Sequence, residues 1–300
     1  MTRNNSRTIG LPSAAERRAF TLVELLAVIA ILMLLATLLL FGLFGAIQEG
    51  KAARTKAQIA KLNEIVMTQY DSYQYRPLPF RQTTANAGTA QRKRLDAVRE
   101  LMRLELPDRI TDVKVSGTAN SAATTVGNLI TRPALAEAYY AKAKSATWTA
   151  QFQGAECLYL IVSQAHDGFS PALDAFAENE IGDVDGDGMK EILDGWGRPI
   201  EFLRWAPGYT CGGLKVLQQN DATAQHDPFD IMRLETGAYA LYPVVFSAGL
   251  DREYGIETGS GSSYSSGTNQ PNPYAFPTIG SSLSGGYDAD NFTNHSQEQR

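Results

Sequence analysis

Hydrophobic positions are concentrated near the start of the chain. From Leu25 to Ile47 there are 23 residues, and Thr37 alone among them has a polar side chain. As a helix this run is about 34 Å long, enough to cross a bilayer core. One acid, Glu24, stands just before it, and a basic pair, Arg17 and Arg18, precedes the small residue Ala19. An ordinary secretory signal has a shorter apolar core with its small-residue cleavage site after it. Here the small residue lies before the run, so cleavage there leaves the apolar helix on the mature chain. Within the run only Gly42 and Gly45 weaken a helix.

Beyond the run the pattern turns amphipathic. Ile59, Leu62, Val66 and Tyr73 recur at spacings of 3, 4 and 7, one stripe of a helix. Ala52, Ala53, Ala57 and Ala60 favour the same conformation. Arg76-Pro77-Leu78-Pro79 stops it. The reading is one helix from Phe20 to about Gln74, transmembrane over about 25–47 and packed on a globular head in its second half. Further on, Arg81–Lys93 reads as loop, Leu95–Glu105 as a short helix, Pro133 as a helix start, and Ala150–Ser163 as another helix. Strand patterns occupy Ile200–Trp205 and Tyr239–Ser247. Residues 255–286, rich in Gly, Ser, Tyr and Pro, read as a long surface loop or flexible arm without a core. A long helix, smaller helices and late strands predict an α+β fold with the helix laid across an antiparallel sheet.

The segment Ala19-Phe20-Thr21-Leu22-Val23-Glu24-Leu25, joined to a full-length apolar helix, resembles the N-terminus of type IV prepilins and type II secretion pseudopilins. The resemblance implies a pilin-like fold and a leader, residues 1–19, removed by a prepilin peptidase between Ala19 and Phe20. It also implies methylation of the new N-terminus and a register role for Glu24, paired with the amine of a neighbouring subunit in a filament. Two residues depart from the family pattern: Ala19 stands where Gly is preferred, and Phe41 where many relatives carry proline. Asp194-Gly195-Trp196-Gly197-Arg198-Pro199-Ile200 and Ser247-Ala248-Gly249-Leu250-Asp251 resemble two further segments of major pseudopilins. In those relatives the second opens a calcium loop, and Asp251, Glu253, Asp288 and Asp290 are the matching acids here.

Charge narrows the choice. The net charge is −5, and the leader carries +3, which leaves −8 on the remainder. Such a chain lacks the basic surface that general nucleic-acid binding needs. Basic residues flank the apolar run on both sides, so charge alone gives no orientation. The resemblance places the chain in the inner membrane as a single pass, with residues 76–300 as a head in the periplasm or cell exterior. Cys157 and Cys211 fit either one disulfide in an exported domain or two buried thiols.

Residues 183–194, DVDGDGMKEILD, carry the clearest ligand pattern. Asp183, Asp185 and Asp187 alternate and Gly188 follows, the first half of a calcium loop of the EF-hand type. Glu191 takes its ninth position and Asp194 its twelfth. The competing reading is an acidic, solvated turn. His166, His226 and His295 show no metal-ligand spacing, and no nucleophile motif is present, so catalysis is not expected. The expected role is a filament subunit whose partners are the peptidase, other copies of itself, minor pseudopilins and an inner-membrane assembly platform. The rival is a pilin-anchored binding module using 255–286, with Tyr264, Tyr274, Phe276 and Tyr287 as contacts.

Overall fold

The computed structural model describes residues 21–78, 87–115, 121–123, 125, 130–210, 221–223, 225–259, 265–266, 270–283 and 290–296. The chain divides into two compact units, 1–48 and 49–300. A single helix, α1 (Leu22–Tyr75), contributes to both. Its stretch in the first unit is exposed almost throughout, including Leu22, Leu39 and Phe41, and is long and apolar enough to cross a membrane.

In the second unit α1 buries the expected stripe. Ile59, Leu62, Val66 and Tyr73 are at most 1% exposed, and Tyr70 joins them. Each such aliphatic residue contributes about 1.5–3 kcal/mol on burial. The stripe packs on the sheet side of the head. Tyr70 donates to the Leu241 carbonyl at 2.5 Å, Gln58 to the Leu193 carbonyl, and Asn294 to the Asn63 side chain.

Among the described residues four shorter α-helices follow: α2 (Ala87–Glu105), α3 (Ile110–Val113), α4 (Ala134–Ala143) and α5 (Gln153–Gln164). α2 begins inside the stretch read as loop, because its polar first turns lack the apolar periodicity that marks its second half. Pro133 sits at the N-cap of α4, one residue before the expected position.

The strands are short. β1 (His166–Asp167) pairs with β2 (Ser170–Pro171), and β3 (Ile181–Gly182) with β4 (Glu191–Ile192). β5 (Glu201–Leu203), β6 (Val244–Ser247) and β9 (Phe292–Thr293) form the three-stranded antiparallel sheet in the order β5-β6-β9. β7 (Ser265–Ser266) pairs with β8 (Gln270–Pro271). Both predicted strand regions therefore contain strands, but shorter ones. The architecture is pilin-like: a long N-terminal helix whose second half packs on a small antiparallel sheet, with extra helices and long loops.

The 255–286 segment departs from the expectation of a coreless arm. Ile256 and Ile279 are buried in the main core. The backbone of 255–257 pairs with 280–283 through Leu283 N to Gly255 O and Gly280 N to Glu257 O, both 2.7 Å. Two isoleucines in a run of small residues give no periodic signal, yet they suffice to anchor the base of the loop.

Candidate functional site

Ala19 and Phe20 lie outside the described residues. Glu24 lies inside them and shows a role that the sequence reading did not include. Thr21 is the N-cap of α1, and Glu24 is its third helical residue. The Thr21 amide donates to Glu24 Oε2 at 3.0 Å, and the Glu24 amide donates to Thr21 Oγ1 at 3.2 Å. The Thr21 hydroxyl also donates to the same carboxylate oxygen. This reciprocal capping box satisfies backbone donors that an apolar helix start would otherwise leave bare. Its signal was the Thr-x-x-Glu spacing within FTLVELL.

The acidic loop between β3 and β4 brings together most of its predicted ligands. Asp183, Asp185 and Asp187 place carboxylate oxygens within 4.8 Å of one another. Gly186 and Gly188, with φ of 77° and 92°, give the tight path that L side chains disfavour. Asp183 accepts from the Gly186 and Gly188 amides, and Asp187 from the Met189 and Thr149 amides. These bonds fold the loop around its own carboxylates.

A second grouping shares Asp185: Glu156, Asp185 and Glu191 also have ligand atoms within 4.8 Å of one another. Glu156 comes from α5, whose buried face turns it toward the loop, and Glu191 from β4. Both are 0% exposed. In each of the three, one oxygen is tied to a donor. Trp148 Nε1 donates to Glu156 Oε2, Thr149 Oγ1 to Asp185 Oδ2 at 2.9 Å, and the Val184 amide to Glu191 Oε2 at 3.1 Å. No donor reaches the other oxygen of each (Glu156 Oε1, Asp185 Oδ1 and Glu191 Oε1), which is buried, and the Asp187 carboxylate lies against Glu156. Burial, with neighbouring carboxylates adding to it, pushes Glu156 up to about 10 and Glu191 up to about 7. The arrangement can accept a divalent cation. Sequence reasoning missed Glu156, which lies 27 residues before the loop with no motif of its own.

Asp194 corrects the loop reading. It does not join either carboxylate grouping. Its Oδ1 accepts from the Trp196 and Arg198 amides at 2.8 and 2.9 Å, and its Oδ2 accepts from Ser247 Oγ at 2.6 Å. An Asx turn at the start of DGWGRPI therefore uses Oδ1, and Ser247 takes Oδ2. The bond to Ser247 also joins the 194–200 segment to the 247–251 segment. Trp196 caps the core as expected, 9% exposed and stacked on Phe292 with rings 5.8 Å apart.

The second predicted calcium loop is only partly described. Asp290 reaches the 249–251 turn, where Oδ2 accepts from the Leu250 and Asp251 amides at 2.7 and 3.1 Å. Asp251 accepts from the Glu253 amide. Asp288 lies outside the described residues, and no third carboxylate joins Asp251 and Asp290 among the described ones. Cys157 is a free, fully buried thiol in α5. Cys211 lies outside the described residues. Of the proposed loop contacts, Tyr264 and Tyr287 lie outside them too. Tyr274 turns inward, with its hydroxyl 2.6 Å from the Tyr239 carbonyl.

Residues 15–40 match a family described as the prokaryotic N-terminal methylation motif. No curated protein and no solved structure matches the chain. The match covers Ala19, Phe20, Glu24 and most of the apolar run, and it agrees with the pilin-like architecture of the described residues.

Proposed function

We propose that this chain is a structural, non-catalytic subunit of a type II secretion pseudopilus or a related type IV pilus-like filament. The observation that carries the reading is the methylation motif at 15–40 continuing into a helix whose apolar face is exposed all round. Such a helix needs a lipid or a bundle of its own kind around it. In this reading a prepilin peptidase cuts between Ala19 and Phe20, and the new amine is methylated. Residues 25–47 hold the subunit in the inner membrane, with the head in the periplasm or outside the cell. An assembly platform then moves the helix into a filament core with other copies and minor pseudopilins. The acidic loop binds calcium, a hard cation suited to carboxylate oxygens.

Glu24 has two roles that can be separated. As a cap it needs a side-chain oxygen, which Gln also supplies. As a register residue it needs charge, to pair in a dry environment with the amine of the next subunit. Glu24→Gln should therefore keep the helix start, membrane insertion and cleavage to Phe20, read by mass spectrometry of the mature N-terminus, but abolish filament yield in sheared fractions. Normal polymer from Glu24→Gln would remove the register role. A chain that retains Met1 in membranes would remove the prepilin reading.

A further inference from the structure

We infer that a calcium ion is held between Glu156 of α5, Asp185 of the acidic loop and Glu191 of β4, clamping α5 to the loop. This rests on the calcium reading above, but it moves the ion from where the sequence pattern alone would put it. In an EF-hand-type loop every ligand comes from one stretch of chain, here Asp183, Asp185, Asp187 and Asp194. In the folded head Asp194 is spent on its turn and on Ser247. Both oxygens of Asp183 and both of Asp187 accept backbone amides. Those residues shape the loop.

The Glu156–Asp185–Glu191 grouping is built differently. Each carboxylate has one oxygen fixed by a donor and one that no donor reaches. Fixing one oxygen orients the other, as second-shell donors do at metal sites. Two of the three side chains are fully buried, where an uncompensated carboxylate is strongly unfavourable. Two ligands of one calcium ion can be no farther apart than two bond lengths, about 4.6–5.2 Å. Ligand atoms of the three residues lie within 4.8 Å of one another, inside that pairwise limit. An all-carboxylate donor set suits a hard cation rather than zinc or copper. Burial favours calcium over magnesium, which gives up its water shell reluctantly.

Trp148 provides the readout, because its indole donates to Glu156. The full-length chain in detergent micelles, stripped with EDTA, is titrated with terbium, a luminescent calcium substitute, under tryptophan excitation. Sensitised emission that calcium displaces is expected, together with a calcium-dependent rise in Tm. Glu156→Gln and Glu191→Gln should each weaken calcium binding, measured by calorimetry, more than about tenfold, with helix content unchanged by circular dichroism. Trp148→Phe should lower the sensitised emission sharply and, by releasing Glu156 Oε2, weaken calcium binding by about tenfold. Should one Gln variant misfold, the other still decides. Wild-type affinity in a folded Glu156→Gln or Glu191→Gln chain overturns this site and returns the ion to Asp183 and Asp187. A wild-type chain that binds no calcium at millimolar concentration overturns the calcium reading itself.

Discussion

Arg204 is the side chain whose loss should be felt most widely in the head. It follows β5 directly and is 0% exposed. Its Nη1 donates to the Leu106 carbonyl at 2.6 Å, to the Arg103 carbonyl at 3.4 Å and to Asp112 Oδ2 at 2.9 Å. Its Nη2 lies 3.2 Å from Asp108 Oδ1, itself fully buried. One guanidinium therefore serves carbonyls at the C-terminal end of α2, a favourable place for a cation, and two carboxylates beyond it, Asp108 in the turn and Asp112 in α3. Arg204→Met keeps most of the volume and removes the charge, so Asp108 and Asp112 lose the guanidinium they share, while Arg109 and Arg103 stay beside them. Breaking a buried pair by removing one partner costs about 3–5 kcal/mol, because the remaining charge stays buried. At about 2–4 °C per kcal/mol for a unit of this size, Tm should fall by about 10 °C. The comparison is Arg54→Ala, which breaks the half-exposed pair with Glu180 and should cost under about 1 kcal/mol. Thermal melts of the full chain in micelles, followed by circular dichroism, measure both. Equal shifts for the two variants would refute the claim that the Arg204 network holds α2 to the sheet.

Two further outcomes follow from contacts in the head. A Cβ on Gly195 would lie 2.5 Å from the Lys51 carbonyl of α1, and the Gly195 amide donates to Thr55 Oγ1; Gly195→Ala should therefore destabilise by about 1–3 kcal/mol, read as a lower Tm, whereas Gly50→Ala, with open space around it, should not. Burial pushes Glu201 from its ordinary 4.5 up to about 7, so the folded head holds a proton that the unfolded chain releases. Its stability contribution is thus full below about 4.5 and declines as pH rises toward 7, and Glu201→Gln should flatten that part of the Tm–pH curve.

The fold was legible wherever one residue type repeated with a period. The apolar run and the Ile59–Leu62–Val66–Tyr73 stripe place α1 to within two residues at each end, because a helix of 54 residues offers many turns over which the pattern accumulates. The strands were legible as places but not as lengths. β5 is three residues long, and a strand that short is set by its pairing with β6 rather than by its own alternation. The start of α2 and the buried base of the 255–286 segment gave no signal. Polar helical turns and isolated isoleucines become meaningful only once the surfaces they cover are in place.

The candidate centre divides along the same physical line. Local chemistry was readable: alternating aspartates with Gly188 do form a tight acidic loop, and Thr21-x-x-Glu24 does form a cap. What a spacing rule cannot contain is a ligand from another element. Asp194 stands at the twelfth position, where the pattern prefers Glu, and the turn after it offers two amides that its Oδ1 accepts instead. Glu156 satisfied no rule, but α5 packs on both β4 and β5, and that packing carries its carboxylate to the loop. The raised pKa values of Glu156 and Glu191 follow from this geometry rather than from composition. Each is left with a buried oxygen that no donor reaches. A carboxylate in that position must hold a proton or a cation, and with Glu156 on α5 and Glu191 on β4 either choice is shared between two separate elements.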